Sequence, residues 1–97
     1  MTSSITISGC ARNASATSTV AVDIPHTWRG DLVVDLLAPD GTAYRLKNSS
    51  SSDSADNVRT TYTVNLSAEA ANGTWRLQVR DLYRQDTGYI NSWTLTV

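Results

Sequence analysis

Apolar side chains fall on every second residue along most of the chain, and no segment sustains a helical period. That alternation is the signature of strands with one face in a core. Ser4 to Ser8 alternates about Ile5 and Ile7, and Gly9 to Ser15 then reads as loop. Ser18 to Ile24 has the clearest two-faced pattern: Val20, Val22 and Ile24 inward, Thr19, Ala21 and Asp23 outward. Pro25 ends it, because proline cannot donate to a ladder. Leu32 to Leu37 is a nearly unbroken apolar strand, with Asp35 standing where the pattern calls for an apolar residue. Pro39-Asp40-Gly41 predicts a tight turn, with proline presetting φ and glycine accepting positive φ. Thr42 to Leu46 then folds back as an antiparallel partner.

Three more alternating segments follow. Thr60 to Leu66 puts Tyr62, Val64 and Leu66 inward; Trp75, Leu77 and Val79 oppose Arg76, Gln78 and Arg80; Ser92 to Val97 aligns Trp93, Leu95 and Val97. Ser67 to Asn72 has the composition of a single serine-capped helical turn stopped by Gly73. Asn48 to Asn57 is a polar stretch with the composition of a solvated loop, and Asp81 to Gly88 is a second loop. The count is seven strands, or eight if Tyr89-Ile90 forms its own. The predicted class is all-β, a jelly-roll β-sandwich or barrel of about eight antiparallel strands in a single domain over residues 1–97.

Composition narrows the function. Eight basic residues balance nine acidic ones with no basic stripe, which argues against nucleic acid or an anionic membrane as partner. No apolar run is long enough to span a bilayer. Met1-Thr2-Ser3-Ser4 carries no signal-peptide pattern and reads as the start of a piece cut from a longer protein. Lys47 is the only lysine, and Ser, Thr and Asn are abundant, as on an extracellular, secreted protein. The single cysteine, Cys10, excludes an internal disulfide and a cysteine-based zinc site, leaving it free or bonded to a partner beyond this segment.

His26-Thr-Trp-Arg29-Gly30-Asp31-Leu32, followed by a strand, by Pro39-Asp40-Gly41-Thr42 and by Leu46, resembles the P domain, also called the P/Homo B domain. Ser54-Ala55-Asp56-Asn57, Gly73-Thr74-Trp75-Arg76-Leu77 and Gly88-Tyr-Ile-Asn91-Ser92-Trp93-Thr94-Leu95 continue the resemblance in order, so that it covers residues 3–97. It implies a jelly-roll accessory domain C-terminal to a protease catalytic domain, here of a bacterial protease. The parent is expected to be a serine-type endopeptidase, with a metalloprotease as the other class. The implied role is to assist folding, stability, calcium and pH dependence or substrate targeting, as a monomer in contact with the catalytic domain of the same chain. The chain starts after a short strand that usually precedes residue 3 in that family.

Catalytic chemistry is poorly provided for. A hydrolytic triad needs a nucleophile, a base and an orienting group, and the only histidine, His26, precedes a strand beside Pro25 as a hydrogen-bonded turn residue would. Calcium is the stronger chemical expectation. Hard cations take six to eight oxygen ligands, and Asp31, Asp35, Asp81 and Asp86 are the candidate set, with Asp53, Asp56, Asn57 and Asn91 further oxygen donors. Asp31 and Asp35 lie about 13 Å apart along an extended strand at roughly 3.3 Å per residue, so each needs its own partners. For Asp35, a metal and an arginine such as Arg76 or Arg80 are equally good ways to compensate a carboxylate among apolar residues. Arg29-Gly30-Asp31 spells an integrin-recognition tripeptide but leads into a buried strand, which favours structural use. A competing reading is a carbohydrate- or fibrous-protein-binding module with Trp28, Tyr44, Tyr83 and Tyr89 as an aromatic platform.

Overall fold

Seven strands in the computed structural model follow the alternation segment by segment: β1 (Thr2–Ile7), β2 (Ser18–Ile24), β3 (Leu32–Leu37), β4 (Ala43–Lys47), β5 (Val58–Val64), β6 (Gly73–Asp81) and β7 (Ser92–Thr96). The described residues are 2–26, 29–50, 55–81 (for Asp81 the backbone alone) and 89–97. All pairings are antiparallel. A four-stranded sheet has the order β1-β6-β3-β4, and a three-stranded sheet has the order β5-β2-β7. The expected all-β sandwich is therefore present. Tyr89 and Ile90 form no eighth strand: the Tyr89 N–H donates to the Pro25 carbonyl and the Asn91 N–H to that of Asp23, which leads the chain irregularly into β7.

The sheets close over one core, in which Val20, Ile24, Leu32, Val34, Leu36, Leu66, Trp75 and Leu77 are wholly buried. Register explains the selection. Leu36 faces Leu77 and Tyr44, and Val34 faces Val79 across the β3–β6 ladder, so their side chains share the inner face. In the other sheet Val20 and Val22 sit opposite Tyr62 and Thr60 on one side and Leu95 and Trp93 on the other. Trp75 fits its indole into this core because its N–H donates to the Ala71 carbonyl at 3.0 Å. The buried Trp93 indole N–H has no such partner among the described residues.

Local chemistry sets the turns. Gly41 takes φ 91° in the β3–β4 turn, where the Ala38 N–H donates to Thr42 and the Gly41 N–H to Ala38. Gly73 takes φ 132°, and a Cβ there would stand 2.7 Å from Pro39, so only glycine lets β6 begin under that turn. Of the helical turn expected over Ser67 to Asn72, only a tight turn at Ser67 and Ala68 forms, closed by the Glu69 N–H to the Leu66 carbonyl at 2.9 Å. The Asn65 side-chain oxygen accepts from the Ser67 N–H and hydroxyl, and Ala70 bridges to Asn13. Backbone bonds to the 12–14 segment through Glu69 and Ala71 then carry the chain away from that turn toward β6. A local propensity of a few tenths of a kcal/mol per residue does not outweigh those bonds.

Candidate functional site

Arg29–Asp31 forms a single 3-10 turn directly ahead of β3, with Gly30 and Asp31 buried. The polar stretch beyond β4 packs back onto this turn. The Ser50 N–H donates to the Gly30 carbonyl at 2.7 Å, and the Arg29 N–H donates to Ala55 at 2.9 Å. Asn57, at φ 64°, accepts the His26 N–H on its side chain at 2.9 Å and returns its own N–H to the His26 carbonyl. The described ends of the loop expected to be simply solvated are thus tied to residues 26–30. His26 is itself buried, at 3% exposure. The Arg-Gly-Asp triplet is structural here: two of its three residues are inaccessible.

Asp35 lies on the outward face of the four-stranded sheet, not in the core. Its register partners are Gln78 on β6 and Arg45 on β4, with Arg76 and Arg80 at the neighbouring outward positions. Its side chain is nonetheless only 8% exposed. The Arg45 Nε donates to Oδ1 at 2.5 Å and the Arg80 Nη2 to Oδ2 at 3.4 Å. The alternatives left open by the sequence therefore resolve toward arginine. Arg80 was foreseeable from its spacing on β6; Arg45 was not, because only the β3–β4 register, with its irregularity between Val34 and Asp35, brings it opposite. The Arg45 Nη1 is further anchored to the Asn48 side-chain oxygen at 2.8 Å. With both carboxylate oxygens held by guanidinium groups, this position repels a dication and is a poor calcium ligand.

Asp31 and Asp81 are brought to the same end of the sheet. Leu32 pairs with Asp81 across the β3–β6 ladder, and Asp31 is the residue before Leu32. Asp31 is 8% exposed. The side chain of Asp81 and the whole of Asp86 lie outside the described residues, as do Asp53, Trp28 and Tyr83. Among the described residues no three His, Cys, Asp or Glu side chains gather at one point.

A further carboxylate was not singled out in the sequence. Glu69 is 5% exposed and accepts the Tyr44 hydroxyl at 2.6 Å. That bond, aided by burial, pushes the Tyr44 hydroxyl pKa up to about 12. Asp40, at the turn above, has its pKa lowered from the ordinary value by the hydrogen bond its side chain accepts from the Thr42 N–H. Nothing in the sequence pairs residues 25 positions apart on a turn and a strand. The aromatic platform does not assemble from its described members. Tyr44 belongs to the four-stranded sheet with its hydroxyl engaged, whereas Tyr89 precedes β7 in the other sheet and is 58% exposed. Cys10 is a free, half-buried thiol whose backbone N–H donates to the Asn72 side chain at 2.9 Å.

These features define a β-sandwich built to be stable, with its polar groups engaged in holding loops and sheet together. The Proprotein convertase P-domain family model matches residues 15–97, and the chain belongs to that family. It is 60% identical over 96 residues to Leupeptin-inactivating enzyme 1 of Streptomyces exfoliatus, covering 99% of this chain and 22% of the relative. It is 50% identical over 96 residues to the Transglutaminase-activating metalloprotease of Streptomyces mobaraensis, covering 99% of this chain and 12% of that protein. A Calcium-dependent protease of Trichormus variabilis is 39% identical over 85 residues, 78% of this chain and 13% of its own length. The chain thus spans about a fifth or less of these relatives. The fold matches part of a serine protease of Aeromonas sobria with TM-score 0.66 at 18% identity, covering 98% of this chain and 26% of that one.

Proposed function

We propose that this chain is the noncatalytic P domain of a secreted bacterial protease and that it supports the folding and stability of a catalytic domain in the same polypeptide. The observation that carries this reading is the extent of the match. Relatives at 60% and 50% identity align along 99% of this chain, yet the match occupies only 22% and 12% of their own length. The chemistry named for them therefore has most of its polypeptide elsewhere. The class of the parent stays open between the two expected ones: a relative named as a metalloprotease is 50% identical, and the fold matches part of a serine protease at 18% identity. A secreted setting is supported by the single lysine and the hydroxyl-rich composition. The single domain over residues 1–97 is supported by the continuous core.

Calcium belongs to this proposal as a stabilising ligand. Its support is the name of the Trichormus variabilis relative together with the placement of Asp31 and Asp81 at one sheet end; Asp86, the third carboxylate expected from the sequence, lies outside the described residues. Asp35 is left out of the ligand set because Arg45 and Arg80 already hold it. An ion bound only by the folded chain raises its stability with concentration. The test is a thermal melt of the chain across a calcium titration, with Asp31→Asn as the control variant. A rise in melting temperature that Asp31→Asn abolishes is expected. A melting curve indifferent to both calcium and chelator rejects the calcium role. Hydrolysis of peptide substrates by the purified chain rejects the accessory role.

A further inference from the structure

The two sheets present very different outer faces. On the three-stranded sheet the outward rows are Thr63-Thr19-Thr96, Thr61-Ala21-Thr94 and Arg59-Asp23-Ser92, which pair their only two charges with each other. On the four-stranded sheet the outward positions of β3, β4 and β6 include Arg45, Arg76 and Arg80, and the only acid among them is Asp35. These four side chains together carry a charge of about +2 in a chain whose net charge is −1. Around them, Thr2, Ser4, Thr6 and Thr74 on β1 and the start of β6 are exposed, Leu37 and Gln78 are half-buried, and Val33 is buried.

From this asymmetry we infer that the outward face of the four-stranded sheet docks an acidic stretch of a protein partner, held by Arg45, Arg76 and Arg80. The geometry is prepared for such a ligand. Asp35 fixes the Arg45 and Arg80 side chains, which remain 44% and 51% exposed, so part of the entropy cost of ordering them is already met. The Arg76 side chain is exposed and makes no hydrogen bond or ion pair among the described residues. Each guanidinium has five donors in a planar fork that matches a carboxylate, and most of these donors are unused among the described residues. Arg76 and Arg80 stand about 13 Å apart along β6, and Arg45 lies two strands away, about 10 Å across the sheet. Carboxylates about four residues apart on an extended segment reach successive arginines at that spacing. A nucleic acid is the poorer occupant: its affinity comes from neutralising a continuous run of phosphates, and this face offers three arginines around a resident carboxylate.

The experiment is calorimetric titration of the whole chain with a synthetic peptide of alternating Glu and Ser, and with a matched Lys–Ser peptide, at low and high salt. The acidic peptide is expected to bind at low salt and the basic one to fail, with affinity falling about tenfold as salt screens the contacts. Arg76→Gln, which breaks no side-chain bond among the described residues, is expected to weaken binding about fivefold with an unchanged melting temperature, and Arg76→Lys to restore part of it. A second readout needs no variant: the Nε–H resonances of Arg45, Arg76 and Arg80 shift on adding the peptide. Four results overturn the inference: no binding at low salt, equal binding of the basic peptide, resonances that stay put, or heparin or duplex DNA displacing the acidic peptide at lower concentration.

Discussion

Asp23 and Asp35 occupy equivalent places on opposite sheets. Each is an outward-facing carboxylate on an interior strand, β2 or β3, and each has an arginine directly across the ladder. Their environments differ. The Asp23 side chain is 32% exposed and its partner Arg59 62%, while the Asp35 side chain is 8% exposed between two arginines. Asp23 is free to exchange its protein partners for water, so its pair contributes little. Asp35 has lost most of its water and depends on the guanidinium groups that replaced it. An ion pair read from register alone therefore says little about its weight; the depth of the carboxylate decides that, and depth here comes from the long side chains standing on either side of β3.

The largest expected effect that tests this contrast is at Asp35. Asp35→Ala strands two guanidinium groups over a site shaped for a carboxylate and should destabilise the chain by about 2 kcal/mol, below the usual buried-pair loss because the arginines are half exposed. Urea unfolding with an unchanged m-value measures it. A loss under about 0.5 kcal/mol would put Asp35 in the class of an ordinary surface pair.

Glu69 sharpens the comparison, since it is as buried as Asp35 but is answered by a tyrosine. Tyr44→Phe removes the 2.6 Å bond and should cost about 1 kcal/mol near neutral pH. The pH dependence follows from the raised Tyr44 pKa. The folded state favours the protonated phenol, so the contribution is complete below pH 10.0 and is lost as pH rises through about 12. Tyr62, raised by its burial, acts in the same direction. The variant should therefore lose less stability than the parent over that alkaline range, as followed by melting temperature against pH. Identical alkaline profiles would show that the Tyr44–Glu69 bond has no weight in the fold.

The smallest effect is expected at Asp23, whose carboxyl is held below its ordinary 3.8 by Arg59 and by the Asn91 side chain. Its contribution comes from the ionised form, so it is present above pH 3.8 and fades as pH falls through the lowered value. Asp23→Asn should lower the melting temperature slightly at neutral pH, and the gap from the parent should close in acid. A deficit that persists unchanged at low pH would mean that the charge of Asp23 is not what matters.

Strand alternation made most of the fold legible, because a sheet with one buried face imposes a period of two on any sequence that forms it. The alternating runs of β2 and β6, the Pro39-Asp40-Gly41 turn and the inward settings of Trp75 and Leu77 all follow from short-range chemistry. The irregular path of residues 69–72 did not, because its decisive bonds run to Arg12, Asn13 and Ala14, more than fifty positions away. Sequence also raised the right question at Asp35, since a carboxylate within an apolar strand must be compensated. Only the tertiary structure answered it: the register of β4 against β3 sets Arg45 beside that carboxylate, and β6 supplies Arg80 from the other side. The Tyr44–Glu69 bond and the gathering of three arginines on one face have the same origin. Each joins residues from different strands or turns, and the period within a strand carries no record of which strand lies next to it.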